Sequence, residues 1–260
     1  MKFRYFLAMA IIAGIISCNR SEKIEYNKDG SIKKKTVYTS SDKSTYREID
    51  YFDGEHIAGL HEFADGIQHG RSFNYYPNGN IKSVFYYNMG HLTSVARYYN
   101  QQGKLTDKGL FINDSLVVKE EYFYKDNLLK INVFSKLKDF NESGSLLYNN
   151  LGLLGLDNSY YYIASSVDSI PSGDSIKVDV NFIAHDEKAS GMVLTLGPLN
   201  ENLQFPVKEK TYMSDSMSLS FYYKPRNKGY NLILGKLMYI KYGSRDQVDE
   251  FVFYHDFLAY

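Results

Sequence analysis

A chain of 260 residues with 44% hydrophobic and 23% charged side chains has the length of one large domain or two small ones, and enough apolar material to bury a core. A disordered tail and a collagen-like fibre are excluded by that composition. Thirty basic residues balance thirty acidic ones, so no net field draws the chain to nucleic acid, and a single Cys excludes an intrachain disulfide.

The N-terminus carries Lys2 and Arg4, then an apolar run from Phe6 to Ile16, then Ser17 and Cys18. That run is too short for a bilayer-spanning helix, which takes about 20 residues. It fits the apolar segment of a secretory signal. Ile15-Ile16-Ser17-Cys18 resembles the lipobox of bacterial lipoproteins. The resemblance implies a signal peptide over 1–17, acylation of Cys18 and a polar tether over 18–25. The membrane would then be a partner through the N-terminal lipid. Two or three acyl chains anchor firmly, because each buried methylene contributes about 0.8 kcal/mol. The implied address is the cell envelope, at the outer membrane, on its periplasmic face or the surface.

Turn signals then recur at Asp29-Gly30, Asp53-Gly54, Asn78-Gly79, Gln102-Gly103 and Asp126-Asn127, in steps of 24, 25, 24 and 24 residues. A second series lies half a period away at Asp42, Gly66, Gly90 and Asn113. The chain thus turns about every 12 residues, and the runs between turns are β-branched and aromatic. Each unit reads as a β-hairpin, with Asp-Gly and Asn-Gly pointing to type I′ turns. Tyr26, Tyr75 and Tyr99 stand four residues before a turn glycine, and Ile32, Ile81 and Leu105 two after it; the Gly54 unit is displaced, with Tyr51 and Ile57.

The pattern Tyr-x-x-x-Gly-x-Ile/Leu, with the intervening Gly66-Ile67-Gln68-His69-Gly70, resembles the variant MORN repeats. The resemblance covers residues 26 to about 130 and implies an elongated meander of hairpins over 26–148, used for binding or scaffolding. It carries no catalytic residue.

The 12-residue rhythm stops near Leu146, so 149–158 is expected as a linker and 159–260 as a second domain. In that half, Ile176, Val178, Val180 and Phe182 alternate with polar residues, as do Leu219 and Phe221. Further strands are expected at 160–165, 192–196, 230–234, 237–242 and 250–254. The fold class is therefore all-β: an elongated meander of MORN-like hairpins followed by a β-sandwich, immunoglobulin-like or transthyretin-like.

Chemistry-bearing motifs are sparse. His56, His61 and His69 cluster in sequence, but strand periodicity does not bring them to one face at ligand spacing, and no metal or cofactor is expected. His185-Asp186 and His255-Asp256 are neighbours, which on a strand point to opposite faces. Asp168 with Gly173-Asp174 lacks the acidic ladder of a calcium loop. The tyrosine pairs Tyr75-Tyr76, Tyr86-Tyr87 and Tyr98-Tyr99 put aromatic rings on both faces of the sheet and are the candidate binding residues, for a protein, a peptide or a glycan. The expected function is a non-enzymatic binding or scaffold module. Two alternatives stand beside it: a hydrolase using His185, Asp186 or His255, and an antitoxin-like immunity protein.

Overall fold

The computed structural model describes residues 21–125, 128–138, 142–149, 152–156, 160–165, 167–183, 189–241 and 250–260. The lipobox with Cys18, the turn at Asp126-Asn127, and His185 and Asp186 lie outside them.

The fold is all-β. Thirteen strands make one antiparallel sheet: β1 Glu22–Tyr26, β2 Ile32–Tyr38, β3 Thr45–Tyr51, β4 Ile57–Ala64, β5 Ile67–Tyr75, β6 Ile81–Asn88, β7 His91–Leu92, β8 Val95–Tyr99, β9 Leu105–Ile112, β10 Ser115–Lys125, β11 Leu128–Ser135, β12 Glu142–Asn149 and β13 Gly152–Leu156. They follow chain order from one edge to the other; only the two-residue β7 sits off that path, on β6. Residues 149–158, expected as a linker, include β13, which pairs with β12. The apolar Gly-Leu-Leu-Gly-Leu run extends the ladder there instead of interrupting it.

The eight expected turns within the described residues all fall between strands, and most are of two kinds. In the glycine series, the Gly30 N–H donates to the Asn27 carbonyl, and Asn27 N–H to Ser31; the bonds recur at Tyr76–Asn80 and Asn100–Lys104. Glycine alone has positive φ in these turns, 86° at Gly30 and 84° at Gly79. Those at Gly30, Gly79 and Gly103 are three-residue loops closed by a glycine bulge, and none of the series is the type I′ turn that Asp-Gly suggested. The type I′ geometry, with both central residues at positive φ, belongs to three turns of the other series, Asp65-Gly66, Met89-Gly90 and Asn113-Asp114; in its fourth, at Asp42, only Lys43 has positive φ. The repeated Tyr and Ile have a structural meaning, because Tyr26↔Ile32, Tyr51↔Ile57, Tyr75↔Ile81 and Tyr99↔Leu105 are the pairs that close successive hairpins. The displaced unit keeps its closing pair and moves only its glycine.

Turns are also tied to the next repeat. The Tyr76 hydroxyl donates to the Tyr99 carbonyl (2.8 Å), and both Asn78 and Asn80 amides donate to the Gln101 carbonyl. On the opposite side, His91 meets Asp114 at 2.8 Å. The meander is thereby stitched along both rows of turns.

The remaining strands are β14 Tyr160–Ser165, β15 Ser169–Ile170, β16 Ile176–Ile183, β17 Ala189–Leu196, β18 Lys210–Ser214, β19 Ser218–Tyr223, β20 Gly229–Lys241 and β21 Glu250–Ala259. One sheet has the order β14-β16-β19 and the other β15-β21-β20-β17-β18. This is the order of an immunoglobulin-type sandwich, A-B-E against G-F-C-C′, with β15 running parallel beside β21. The two expected strands at 230–234 and 237–242 are one long strand, β20.

The sheets form three layers. Side chains at odd positions of β21, such as Phe251 and Phe253, pack against Phe182 and Phe221 of the three-stranded sheet. Even positions, Tyr254 and Asp256, meet Glu120 and Arg97 of the meander. Buried residues from β8 to β12 and from the sandwich therefore form one cluster, with Val95, Leu110 and Val118 in contact with the same core as Ile233 and Phe253. From β1 to β6 the buried side chains are Thr36, Ser72 and Ser83, so that half has no apolar core, and β1 to β4 are a single layer. Its strands are held by cross-strand pairs instead: Tyr38, Tyr46 and Phe63 form a ring ladder with centroids 5.8 and 5.0 Å apart, and Lys34 reaches Glu48 at 2.6 Å.

Candidate functional site: the seam between meander and sandwich

A cleft of about 350 Å³ opens where β5, β6 and β8 of the meander meet β20 and β21. Strand alternation supplies its walls: Arg71 and Phe73 from β5, Val84 and Tyr86 from β6, and Tyr230 and Leu258 from the sandwich. Tyr86 and Tyr230 stack with centroids 4.5 Å apart and an interplanar angle of 20°.

The polar lining is ordered by one network. Arg97 makes two 2.7 Å contacts with the Asp256 carboxylate, and the Val95 N–H donates to the Tyr230 hydroxyl at 2.9 Å. Burial works against the Arg97 charge, but Asp256 outweighs it and the guanidinium is held more firmly protonated than usual. Burial pushes the Tyr230 hydroxyl well up, so it stays neutral. Two charged groups of the lining stand outside this network. Arg71, from the meander, and Asp168, from the segment entering β15, make no side-chain hydrogen bond or ion pair among the described residues.

Further along the same seam, Glu120 accepts hydrogen bonds from Tyr122 (2.6 Å) and Tyr254 and lies 3.3 Å from Lys108, whose ammonium sits over the Tyr254 ring. Burial alone would raise the Glu120 carboxyl; Lys108 and the two hydroxyls more than offset it, and the net direction is downward.

The candidate tyrosines divide between the two faces. Tyr75 stacks on Phe73, and Tyr86 on Tyr230, on the face toward the sandwich. Tyr87 and Tyr98 gather around Phe85 on the other face, where Tyr98 also borders an open groove with Phe111 and Leu116. Tyr76 and Tyr99 are joined to each other at the turns, by hydroxyl and carbonyl. All six are half-buried.

The histidines separate. His56 bonds to Asp53 of its own turn, and His69 accepts from the Met89 N–H. His61 lies between Ser72 Oγ, 2.7 Å from Nδ1, and Asp50, 3.5 Å from Nε2. This Asp-His-Ser row crosses three strands, but Ser72 is only 2% exposed, out of reach of a substrate. His255 stacks on Phe257 inside the sandwich, while its neighbour Asp256 faces the opposite way. The two do not form a dyad.

Arg71, Arg97 and Tyr230 escaped the sequence reading, because nothing in the spacing links residues from chain-distant strands. The one available signal was alternation: placing Arg97 opposite Val84 puts it on the face that carries Arg71 and Tyr86. No protein-family profile matches the chain, and comparison with curated proteins finds no relative.

Proposed function

We propose that this chain is a lipid-anchored, non-enzymatic binding module of the cell envelope, held through Cys18 and receiving its ligand in the seam cleft. The observation that carries the binding role is the cleft itself. It combines aromatic walls with a few convergent polar groups, and its size falls within the range of about 300–1,000 Å³ usual for ligand sites. The N-terminal signals support the address: Lys2 and Arg4, the short apolar run, and the lipobox-like Ile15-Ile16-Ser17-Cys18. In this reading the MORN-like meander is half scaffold and half wall. Its single-layer strands extend from the anchor, and its later strands build the cleft with the sandwich.

The address is tested by growing cells with labelled palmitate. The wild-type chain takes up label and sediments with membranes, and Cys18→Ser does neither. An unlabelled wild-type chain in the soluble fraction defeats the proposal.

A further inference from the structure

We propose that the seam cleft takes a small zwitterion with an apolar or aromatic side chain, a free amino acid or a dipeptide. The inference rests on the cleft being the binding site. Four charged side chains line it, Arg71, Arg97, Asp168 and Asp256. Two cancel each other: Arg97 Nη2 holds both oxygens of Asp256, and its Nη1 donates to the Val95 carbonyl. What remains for a ligand is one cation, Arg71, and one anion, Asp168. They come from different layers, the meander and the sandwich, so a ligand satisfying both spans the seam.

An anion would meet Asp168 as a like charge, and a cation would meet Arg71 so; repulsion disfavours each. A zwitterion meets both. Its carboxylate suits the bidentate geometry of Arg71, and its ammonium suits the Asp168 carboxylate. Phe73 and Tyr86 then offer the side chain an aromatic wall. The volume, about 350 Å³, is near the lower limit of ligand sites, which selects a ligand of one or two residues over an extended polymer.

Isothermal titration calorimetry of the purified full chain tests this with L-phenylalanine and L-phenylalanyl-L-phenylalanine, against N-acetyl-L-phenylalanine, L-phenylalanine amide and the doubly capped N-acetyl amide. At least one zwitterion is expected to bind saturably, and each singly capped form at least 10-fold more weakly. Arg71→Gln should weaken the ligands that keep a carboxylate about 10-fold and leave the amide unaffected. Asp168→Asn should do the reverse. Both side chains are exposed, so neither change threatens folding. If the doubly capped form binds as tightly as phenylalanine, is lost in Tyr86→Ala and ignores Arg71→Gln, the cleft still binds ligand and the zwitterion assignment is overturned. If no probe binds, the zwitterion assignment and the reading of the cleft as a binding site both fall.

Discussion

The Arg97 guanidinium and the Asp256 carboxylate, 159 residues apart in the chain, meet through two contacts of 2.7 Å at the seam. Arg97 belongs to the meander and Asp256 to the last strand of the sandwich, so this pair ties the repeat region to the C-terminal fold. Removing one partner leaves the other charge in a partly dry interface. Asp256→Ala is expected to cost about 2–4 kcal/mol in urea unfolding, below the full range for a buried pair because Arg97 keeps some solvent contact. The double replacement Arg97→Met with Asp256→Leu should cost clearly less than the sum of the single changes. Additive effects would mean that the two charges do not interact.

Glu120 makes the seam sensitive to acid. Its carboxyl is held below the ordinary value of 4.5, so the fold favours the ionised form. That contribution is complete above the unfolded value and fades as pH falls through 4.5 toward the lower, folded one. Unfolding free energies measured at pH 7, 5, 4 and 3.5 should decline in the wild type more steeply below pH 5 than in Glu120→Gln. Parallel curves would remove Glu120 from the account.

His61 and His255 act in a higher range. Burial lowers both below the ordinary 6.5, so each is neutral in the fold and readily protonated when unfolded. Stability should be intact above pH 6.5 and decrease as pH drops below it, because the unfolded chain then binds more protons. His255→Phe should flatten part of that decline. It also removes a buried Nε2 with no hydrogen-bond partner among the described residues, a group whose like costs about 1–3 kcal/mol. Unchanged or higher stability at pH 7 is therefore expected, and a loss above 2 kcal/mol would contradict this.

Met89 occupies a left-handed position, φ 48°, in a type I′ turn, and half of its surface is exposed. An unbranched apolar side chain gains nothing there from packing. Met89→Asn makes the turn Asn-Gly and should raise stability by about 0.5–1 kcal/mol. Gly90→Ala, at φ 85°, should lower it by about 1 kcal/mol. Both changes are read from denaturation midpoints at constant slope.

The continuous core predicts how the molecule opens. Leu110 is fully buried in a cluster that includes sandwich residues, and Leu110→Ala should cost about 2–5 kcal/mol while keeping a single transition for meander and sandwich together. Amide exchange should be fastest in β1 to β4, which lack a second layer. Protection in β2 equal to that in β9 would refute this division.

Much of the fold was legible because turns are local. Gly30, Gly66 and Asn113 announce themselves by residue type, and the 24-residue spacing fixes strand order once neighbours pair. The kind of turn was not legible: Asp29 and Asn78 bond the backbone N–H two residues on, at Ser31 and Asn80, and so favour a bulged loop over type I′. The strand expected to end at Leu234 runs on through Gly235, because a Cβ there would come within 2.6 Å of the Thr195 carbonyl. That glycine allows a close strand approach, not a turn. The site was least legible of all. Arg71, Arg97, Asp168 and Asp256 become neighbours only when a second sheet covers the first, and no one-dimensional periodicity encodes which faces meet.

The strand-after-strand order of the meander has a mechanical consequence. A pull applied at β1 against the sandwich meets the hairpins in series, so the uncovered strands unzip one at a time, each releasing a fixed increment of length before the next yields. The covered strands from β8 onward resist together, because their separation would tear open the shared core. The first half of the sheet is thus an extensible leash, and the second half a clamp.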